Sequence, residues 1–372
     1  MGKNKTKNRK IKVGILGATG MVGQRLVSLL QNHPWFVIAC VAASKRSSGK
    51  TYKEAVSGRW MQKKLIPKNI GALTVYSIEN DLDFISKKCD FVFSAIEADK
   101  DFIKKIEESY AAKGIPVVSN NSAHRWTKDV PMLMPEINPQ HLDIIPQQRK
   151  NRGWTTGFII TKPNCSIQSY VPLLVAWKDL NPQKVIVSTY QAISGAGKTL
   201  ATWPEMTDNV IPYIGGEEEK SEKEPSKIFG KINKGKFILK NMPQISANCI
   251  RVPVSDGHLA TINIKFKKKA SKERLIKSLK NFKNPLDAFN LPSAPKPFLT
   301  YFEKNDRPQT RLDRDLHNGM GISVGRIRED SVLDWKCVAL SHNTIRGAAG
   351  GSILNAELLV QKGYISQNNI KL

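Results

Sequence analysis

Three short segments carry side chains that do chemistry in combination. Pro163-Asn164-Cys165-Ser166 presents a thiol, and Arg251-Val252-Pro253-Val254-Ser255-Asp256-Gly257-His258 places a guanidinium and an imidazole close together in sequence. A thiolate is a strong nucleophile, a guanidinium binds a carboxylate through two parallel hydrogen bonds, and an imidazole exchanges protons near neutral pH. The third segment, Gly17-Ala18-Thr19-Gly20-Met21-Val22-Gly23, is a glycine loop that lets main-chain N–H groups approach a pyrophosphate at the start of a helix. A thiol nucleophile and a proton carrier, on a chain that also binds a dinucleotide, imply redox chemistry through a thioacyl intermediate.

The surrounding elements must bring these segments into position. Lys12 to Leu16 reads as a short apolar strand leading into the glycine loop, and Val22, Leu26, Leu29 and Leu30 mark the helix that follows. Phe36 to Ala42 and Asp90 to Ala95 are apolar runs suited to buried parallel strands. Phe102, Ile103, Ile106 and Tyr110 predict a helix that Gly114 stops, and Ile115 to Ser119 returns as a strand. The alternation predicts an α/β fold whose N-terminal part, about 160 residues, is a doubly wound parallel sheet. After another strand at Gly157 to Thr161 the character changes. Val185 to Tyr190, Leu259 to Phe266, Ile322 to Ile327 and Trp335 to Leu340 predict an α+β domain with a mixed or antiparallel sheet, closed by a small-residue helix from Gly347 to about Gln361. Residues 215–240 read as a charged excursion at the surface or near the site.

The end of the second strand selects the dinucleotide. Ala43-Ser44-Lys45-Arg46-Ser47-Ser48-Gly49 offers hydroxyls and cations where an NAD site would carry an acidic residue for the ribose, so NADP(H) is the expected cofactor. Gly195-Ala196-Gly197-Lys198-Thr199 resembles the end of a triphosphate loop, but Ala192 stands where that loop needs its first glycine. Cys165 is expected in the first turn of an apolar helix running to about Lys178, where the helix dipole would lower its pKa. Cys40, Cys89 and Cys337 read as buried and inert, and Cys249 as a second thiol near Arg251.

Composition narrows the function classes. A chain of 372 residues, 40% hydrophobic, can bury the cores of two domains. No apolar run reaches the roughly 20 residues needed to cross a bilayer, and the N-terminus lacks the apolar stretch of a signal peptide, so the cytoplasm is expected and a membrane partner is not. Five scattered cysteines fit neither a disulfide framework nor a zinc site, and no metal is expected. The net charge of +26, with Lys3, Lys5, Lys7, Arg9, Lys10 and Lys12 at one end and Lys267, Lys268 and Lys269 farther on, admits nucleic-acid binding or a field that draws anionic small molecules. A nucleic-acid-binding protein on a degenerate dinucleotide fold would have lost its catalytic residues. None is lost, which favours the small-molecule reading.

Lys12 to Gly23, Ala43 to Lys50, Asn120 to Arg125, Met134-Pro135-Glu136-Ile137-Asn138, Pro163 to Ser166, Thr189-Tyr190-Gln191-Ala192-Ile193-Ser194-Gly195, Arg251 to His258, Arg311-Leu312-Asp313 and Asn343 to Gly350 together resemble the aspartate-semialdehyde dehydrogenases, most of all their archaeal and fungal branch. The resemblance runs from about residue 11 to 361. The basic tail over residues 1–10 lies outside it and is expected to be disordered; the resemblance implies an NADP-binding Rossmann domain over 11–163, rejoined by the 343–372 C-terminal helix. A catalytic and dimerisation domain over 164–342 and a homodimer or homotetramer complete the expectation.

Carried over by position, the resemblance makes Cys165 the nucleophile, His258 the acid/base group and Gln191 the residue that orients the substrate. It assigns the substrate carboxylate to Arg251, and phosphate and other substrate groups to Arg125, Lys220, Glu217 and Asn164. The run Glu217-Glu218-Glu219 leaves the contacting glutamate open. Gly17, Thr19, Gly20, Met21, Val22, Gly23, Ser44, Lys45, Arg46, Ser47, Ser94, Ser194 and Gly195, with Asn343 at the nicotinamide end, would hold the cofactor. Ile167 departs from the threonine common in the family. The implied reaction is the reversible NADPH-dependent reduction of L-aspartyl 4-phosphate to L-aspartate 4-semialdehyde, which feeds lysine, threonine, methionine and diaminopimelate synthesis. N-acetylglutamyl phosphate and malonyl-CoA are the alternative acyl substrates.

Overall fold

The structure, a computed structural model, describes residues 10–241 and 243–366. The basic tail expected to be disordered therefore lies outside the described residues, apart from Lys10, whose Nζ donates to the His33 carbonyl at 2.8 Å. The described residues divide into two compact units: 10–123, 148–159 and 356–366 form the first, and those of 124–147 and 160–355 the second.

The first sheet is built on strands β1 (Ile11–Leu16), β2 (Phe36–Ala43), β3 (Val75–Ser77), β4 (Phe91–Ser94), β5 (Val117–Ser119) and β6 (Ile159–Thr161), in the order β3-β2-β1-β4-β5-β6, with β1 to β5 in the first unit. The pairings among β1 to β5 are parallel. Val13, Ile15, Phe91, Val92 and Phe93 are fully buried, as expected of central strands covered on both faces. The Met21–Leu30 helix buries Met21, Leu26, Val27 and Leu30. The Lys100–Ala112 helix starts where the Asp99 carboxylate accepts from the N–H groups of Asp101 and Phe102, at 3.1 and 2.8 Å. The strand order is that of the doubly wound dinucleotide fold, as the sequence pattern predicts.

The second unit holds a six-stranded mixed sheet and a small hairpin. Its strands are β7 (Pro182–Ala192), the hairpin pair β8 (Lys231–Asn233) and β9 (Lys236–Ile238), then β10 (Gln244–Val252), β11 (His258–Phe266), β12 (Leu299–Phe302), β13 (Ile322–Glu329) and β14 (Trp335–Ser341). The large sheet runs β10-β7-β11-β14-β13-β12, with β10–β7 and β12–β13 parallel and the other pairs antiparallel. One face is covered by the Val171–Ala176 and Lys272–Lys280 helices. Val185, Val187, Ala260, Ile262 and Ile264 meet Leu173, Leu174, Leu275 and Leu279 there. Each of these valines, leucines and isoleucines contributes on the order of 1.5–3 kcal/mol by leaving water. Ile167, the departure from the family pattern, is fully buried in this same core.

Side chains alternate along a strand, so the parity that buries Val185 and Val187 also turns Thr189 and Gln191 inward. The same parity directs Cys249 and Arg251 on β10, and His258 on β11, to the helix-covered face. Arg251 pairs in register with Gln191, and antiparallel β11 begins beside the end of β7. Three functional side chains from three strands thus emerge at one edge of one face.

Candidate active site

In the first unit a cleft of about 670 Å³ opens over the glycine loop. Gly17, Thr19 and Gly20 line it together with Ser44, Lys45 and Arg46 from the end of β2. Gly17 has φ +81°, and a Cβ there would come within 2.2 Å of the Ala95 carbonyl, so only glycine lets the turn pass this close to the end of β4. Met21, Val22 and Gly23 form the first turn of the helix behind it. Ser44, Lys45 and Arg46 are exposed, and no carboxylate stands among them. The loop thus fits a pyrophosphate at a helix N-terminus, and the end of β2 fits a 2′-phosphate.

Two of the expected cofactor residues are buried beside the cleft and do not line it. Ser47 is buried and accepts a hydrogen bond from Arg59 Nη2 at 3.3 Å, and Ser94 is fully buried, with its hydroxyl accepting from Asn121 Nδ2 at 3.0 Å. Arg59 lines the cleft, and sequence reasoning missed it because it follows a short helical excursion with no glycine or strand signal to fix its place.

In the second unit Cys165 Sγ lies 3.5 Å from His258 Nε2. The Ala192 N–H donates to His258 Nδ1 at 3.1 Å, which leaves the ring proton of the neutral imidazole on Nε2, facing sulfur. Arg251, 5% exposed, donates through Nη1 to the Ala192 carbonyl at 2.7 Å. Gly195 closes over the pair: a Cβ there would meet Arg251 Nη1 at 2.8 Å and His258 Cε1 at 3.2 Å. Asn343 Nδ2 donates to Ser194 Oγ at 2.8 Å, so Ser194, Gly195 and Asn343 border this cluster.

The Glu217–Ile228 helix supplies the opposite wall. Of the three consecutive glutamates, Glu217 is the one turned to the site. It accepts from Asn164 Nδ2 at 3.0 and 3.1 Å, from Lys220 Nζ at 2.8 Å and from Gln191 Nε2 at 3.4 Å. Glu218 instead accepts from the Cys249 N–H, and Glu219 pairs with Lys223 at the surface. Arg125 is held by Glu224 at 2.8 Å and by the Lys162 carbonyl at 2.9 Å. The helix within the 215–240 excursion is therefore a wall of the site, while the β8–β9 hairpin that follows packs through Phe237 against His141.

The electrostatics correct one expectation. Cys165 does not open an α-helix. It precedes a single 3-10 turn, Ser166–Gln168, and the α-helix starts only at Val171. A single turn gathers little dipole. Desolvation, then the Glu217 carboxylate, push the thiol up to about 11, against the opposing pull of Lys162, Arg125 and Arg251. Burial, then Arg251, pull His258 down to about 3. The resting pair is neutral thiol and neutral imidazole. Lys162, Glu224 and Lys227 are further buried charges that the sequence reading passed over; burial draws both lysines down to about 7. Glu224 could have been found, since it lies two helical turns after Glu217 on one face.

Both parts of the chain are similar to known proteins. Residues 12–145 match the family model for the semialdehyde dehydrogenase NAD binding domain, and residues 172–346 that for the semialdehyde dehydrogenase dimerisation domain. The chain is 44% identical over 358 residues to the aspartate-semialdehyde dehydrogenase of Archaeoglobus fulgidus, covering 95% of this chain and 99% of the relative. The chain belongs to the aspartate-semialdehyde dehydrogenase family. Among solved structures, the Candida albicans aspartate-semialdehyde dehydrogenase with NADP superposes with a TM-score of 0.85 at 40% identity, covering 96% of this chain and all of that one. A Vibrio cholerae family member complexed with ASA superposes at 0.70 and 25% identity, covering 95% and 99%. No helix among the described residues is long and apolar enough to cross a membrane. All five cysteines are free, and among the described residues no cluster could hold a metal ion.

Proposed function

We propose that this chain reduces L-aspartyl 4-phosphate to L-aspartate 4-semialdehyde with release of phosphate, reversibly and with NADPH. The observation that carries the reading is the Cys165–His258 contact at 3.5 Å, flanked by Arg251 and Glu217 in a chain of this family. Cys165 Sγ attacks the acyl carbon, the bond to the phosphate oxygen breaks, and the thiol proton ends on the departing phosphate. Arg125 and Lys220 receive that phosphate, while Arg251 grips the α-carboxylate and Gln191 orients the acyl group. The Nε2 proton of His258 stabilises sulfur as it becomes a thiolate, both in attack and when the tetrahedral adduct later expels it. NADPH, when bound, supplies the hydride that takes the thioester to the aldehyde level.

Glu217 favours the aspartyl substrate over the alternatives. Its buried carboxylate suits the α-ammonium of an aspartyl group. N-acetylglutamyl phosphate and malonyl-CoA have no such cation to offer it. NADP⁺ reduction that requires both aspartate semialdehyde and phosphate tests the reading directly.

Lys45 and Arg46 are assigned to the 2′-phosphate. Losing one charge-assisted contact costs about 1.5–3 kcal/mol, so Arg46→Ala should lower kcat/KM for NADP⁺ by roughly ten- to hundredfold and spare NAD⁺. Equal losses with both cofactors would remove the assignment.

The face of the large sheet opposite its helices leaves Ile186 43% exposed and Tyr190, Ile250 and Leu259 only half-buried. We assign this face to a homodimer contact, with the reaction in the cytoplasm, where thiols stay reduced. Light scattering should then give twice the 41.6 kDa chain mass. A reading of one chain mass at micromolar concentration would exclude the dimer.

A further inference from the structure

The C-terminal half of the Glu217–Ile228 helix holds Arg125 at both its main chain and its guanidinium. Lys227 Nζ donates to the Arg125 carbonyl at 2.6 Å and to the carbonyls of Thr127 and Val130 at 3.2 and 2.8 Å, fixing the main chain of that loop. One turn earlier, Glu224 takes the guanidinium. Its Oε1 accepts from Arg125 Nη1 at 2.8 Å, and its Oε2 accepts from the main-chain N–H of Asn164 at 2.7 Å. Asn164 directly precedes the nucleophile. Glu224 is fully buried, so both bonds act in a medium where charge is poorly screened.

With Nε on the Lys162 carbonyl and Nη1 on Glu224, Arg125 has two of its three nitrogens committed. Among the described residues its Nη2 carries no hydrogen bond. A guanidinium held at two nitrogens cannot rotate, and its free end keeps one direction. We propose that Glu224 is a positioning residue that sets the phosphate-binding end of Arg125 at a fixed distance from Cys165, so that it governs the affinity for phosphate specifically. This rests on the assignment of Arg125 to phosphate above. An amide cannot replace the carboxylate here: both donors need an acceptor, and glutamine would turn an NH₂ against one of them.

The test is steady-state kinetics of the full-length enzyme in the oxidative direction, with aspartate semialdehyde, NADP⁺ and inorganic phosphate varied in turn. Glu224→Gln should raise KM for phosphate about tenfold or more and leave KM for the semialdehyde and NADP⁺ within about twofold. Glu224→Asp, which keeps the charge but shortens the reach, should show the same selective pattern and serves if the glutamine variant fails to fold. In an Arg125→Gln background the Glu224 substitution should add no further loss of phosphate affinity, because its effect passes through Arg125. A phosphate KM that is unchanged, or three Michaelis constants rising together with a lowered Tm, would overturn the proposal. Full additivity with Arg125→Gln would do the same. The wild-type enzyme is the control for the underlying reading: if its NADP⁺ reduction does not depend on phosphate, the proposed reaction fails, whereas phosphate-dependent wild-type turnover with insensitive Glu224 variants sinks this inference alone.

Discussion

Cys165→Ser should reduce turnover by on the order of 10⁴-fold or more while leaving Tm and cofactor binding unchanged. A hydroxyl in place of the thiol keeps the shape of the site but is a far weaker nucleophile at neutral pH. Among the five cysteines Cys165 alone is not buried, so iodoacetamide should inactivate the enzyme by labelling this residue, with Cys249 shielded beneath Ser221. The pH dependence follows from the raised thiol pKa of about 11. Alkylation needs the thiolate, whose fraction grows about tenfold per pH unit below the pKa, so inactivation of the ligand-free enzyme should keep accelerating from pH 7 to pH 10. A plateau below pH 8 would reveal a thiolate–imidazolium pair at rest and contradict the neutral pair described above. Labelling that maps to Cys249 would contradict the assignment of the nucleophile.

His258→Ala should lower kcat by roughly 10²- to 10⁴-fold with a smaller change in KM, since Nε2 acts on the sulfur during bond making and breaking. Arg251→Lys should behave differently. The ammonium keeps the charge but loses the planar fork and the bond to the Ala192 carbonyl. KM for the semialdehyde should rise markedly and kcat should fall as well, through misalignment of the reacting carbon. Near-wild-type kcat in His258→Ala, or an Arg251→Lys enzyme impaired only in stability, would show these two residues to be structural.

The fold was legible where a buried sheet demands a continuous apolar run. β1, β2 and β4 announce themselves in this way, and the glycine loop follows the first of them. Cys165, Arg251 and His258 could be picked out because each stands in a short, chemically dense segment, and the structure brings them together at one edge of the mixed sheet. What stayed hidden depends on partners distant in sequence. β10, whose exposed Gln244, Ser246 and Asn248 alternate with the small inward residues Ala247 and Cys249, lacks the continuous apolar run that marks β1, β2 and β4, yet it positions Arg251. Glu224 and Lys227 looked like members of a solvated charge run. Only the packing of their helix shows that one face points into the protein, with partners 60 to 102 residues away. The thiol pKa failed for a related reason: sequence suggests that a helix follows Cys165, but not that the first turn is 3-10 or that Glu217 faces the sulfur.

The central claim is a phosphate-dependent reaction through a thioester on Cys165. Its most direct measurement is NADP⁺ reduction by the purified enzyme with aspartate semialdehyde and phosphate, run beside malonate semialdehyde with coenzyme A. Rapid NADPH formation with the first pair, abolished when phosphate is omitted and weak or absent with the second pair, is the predicted result. Turnover that ignores phosphate, or that prefers malonate semialdehyde with coenzyme A, would contradict the account.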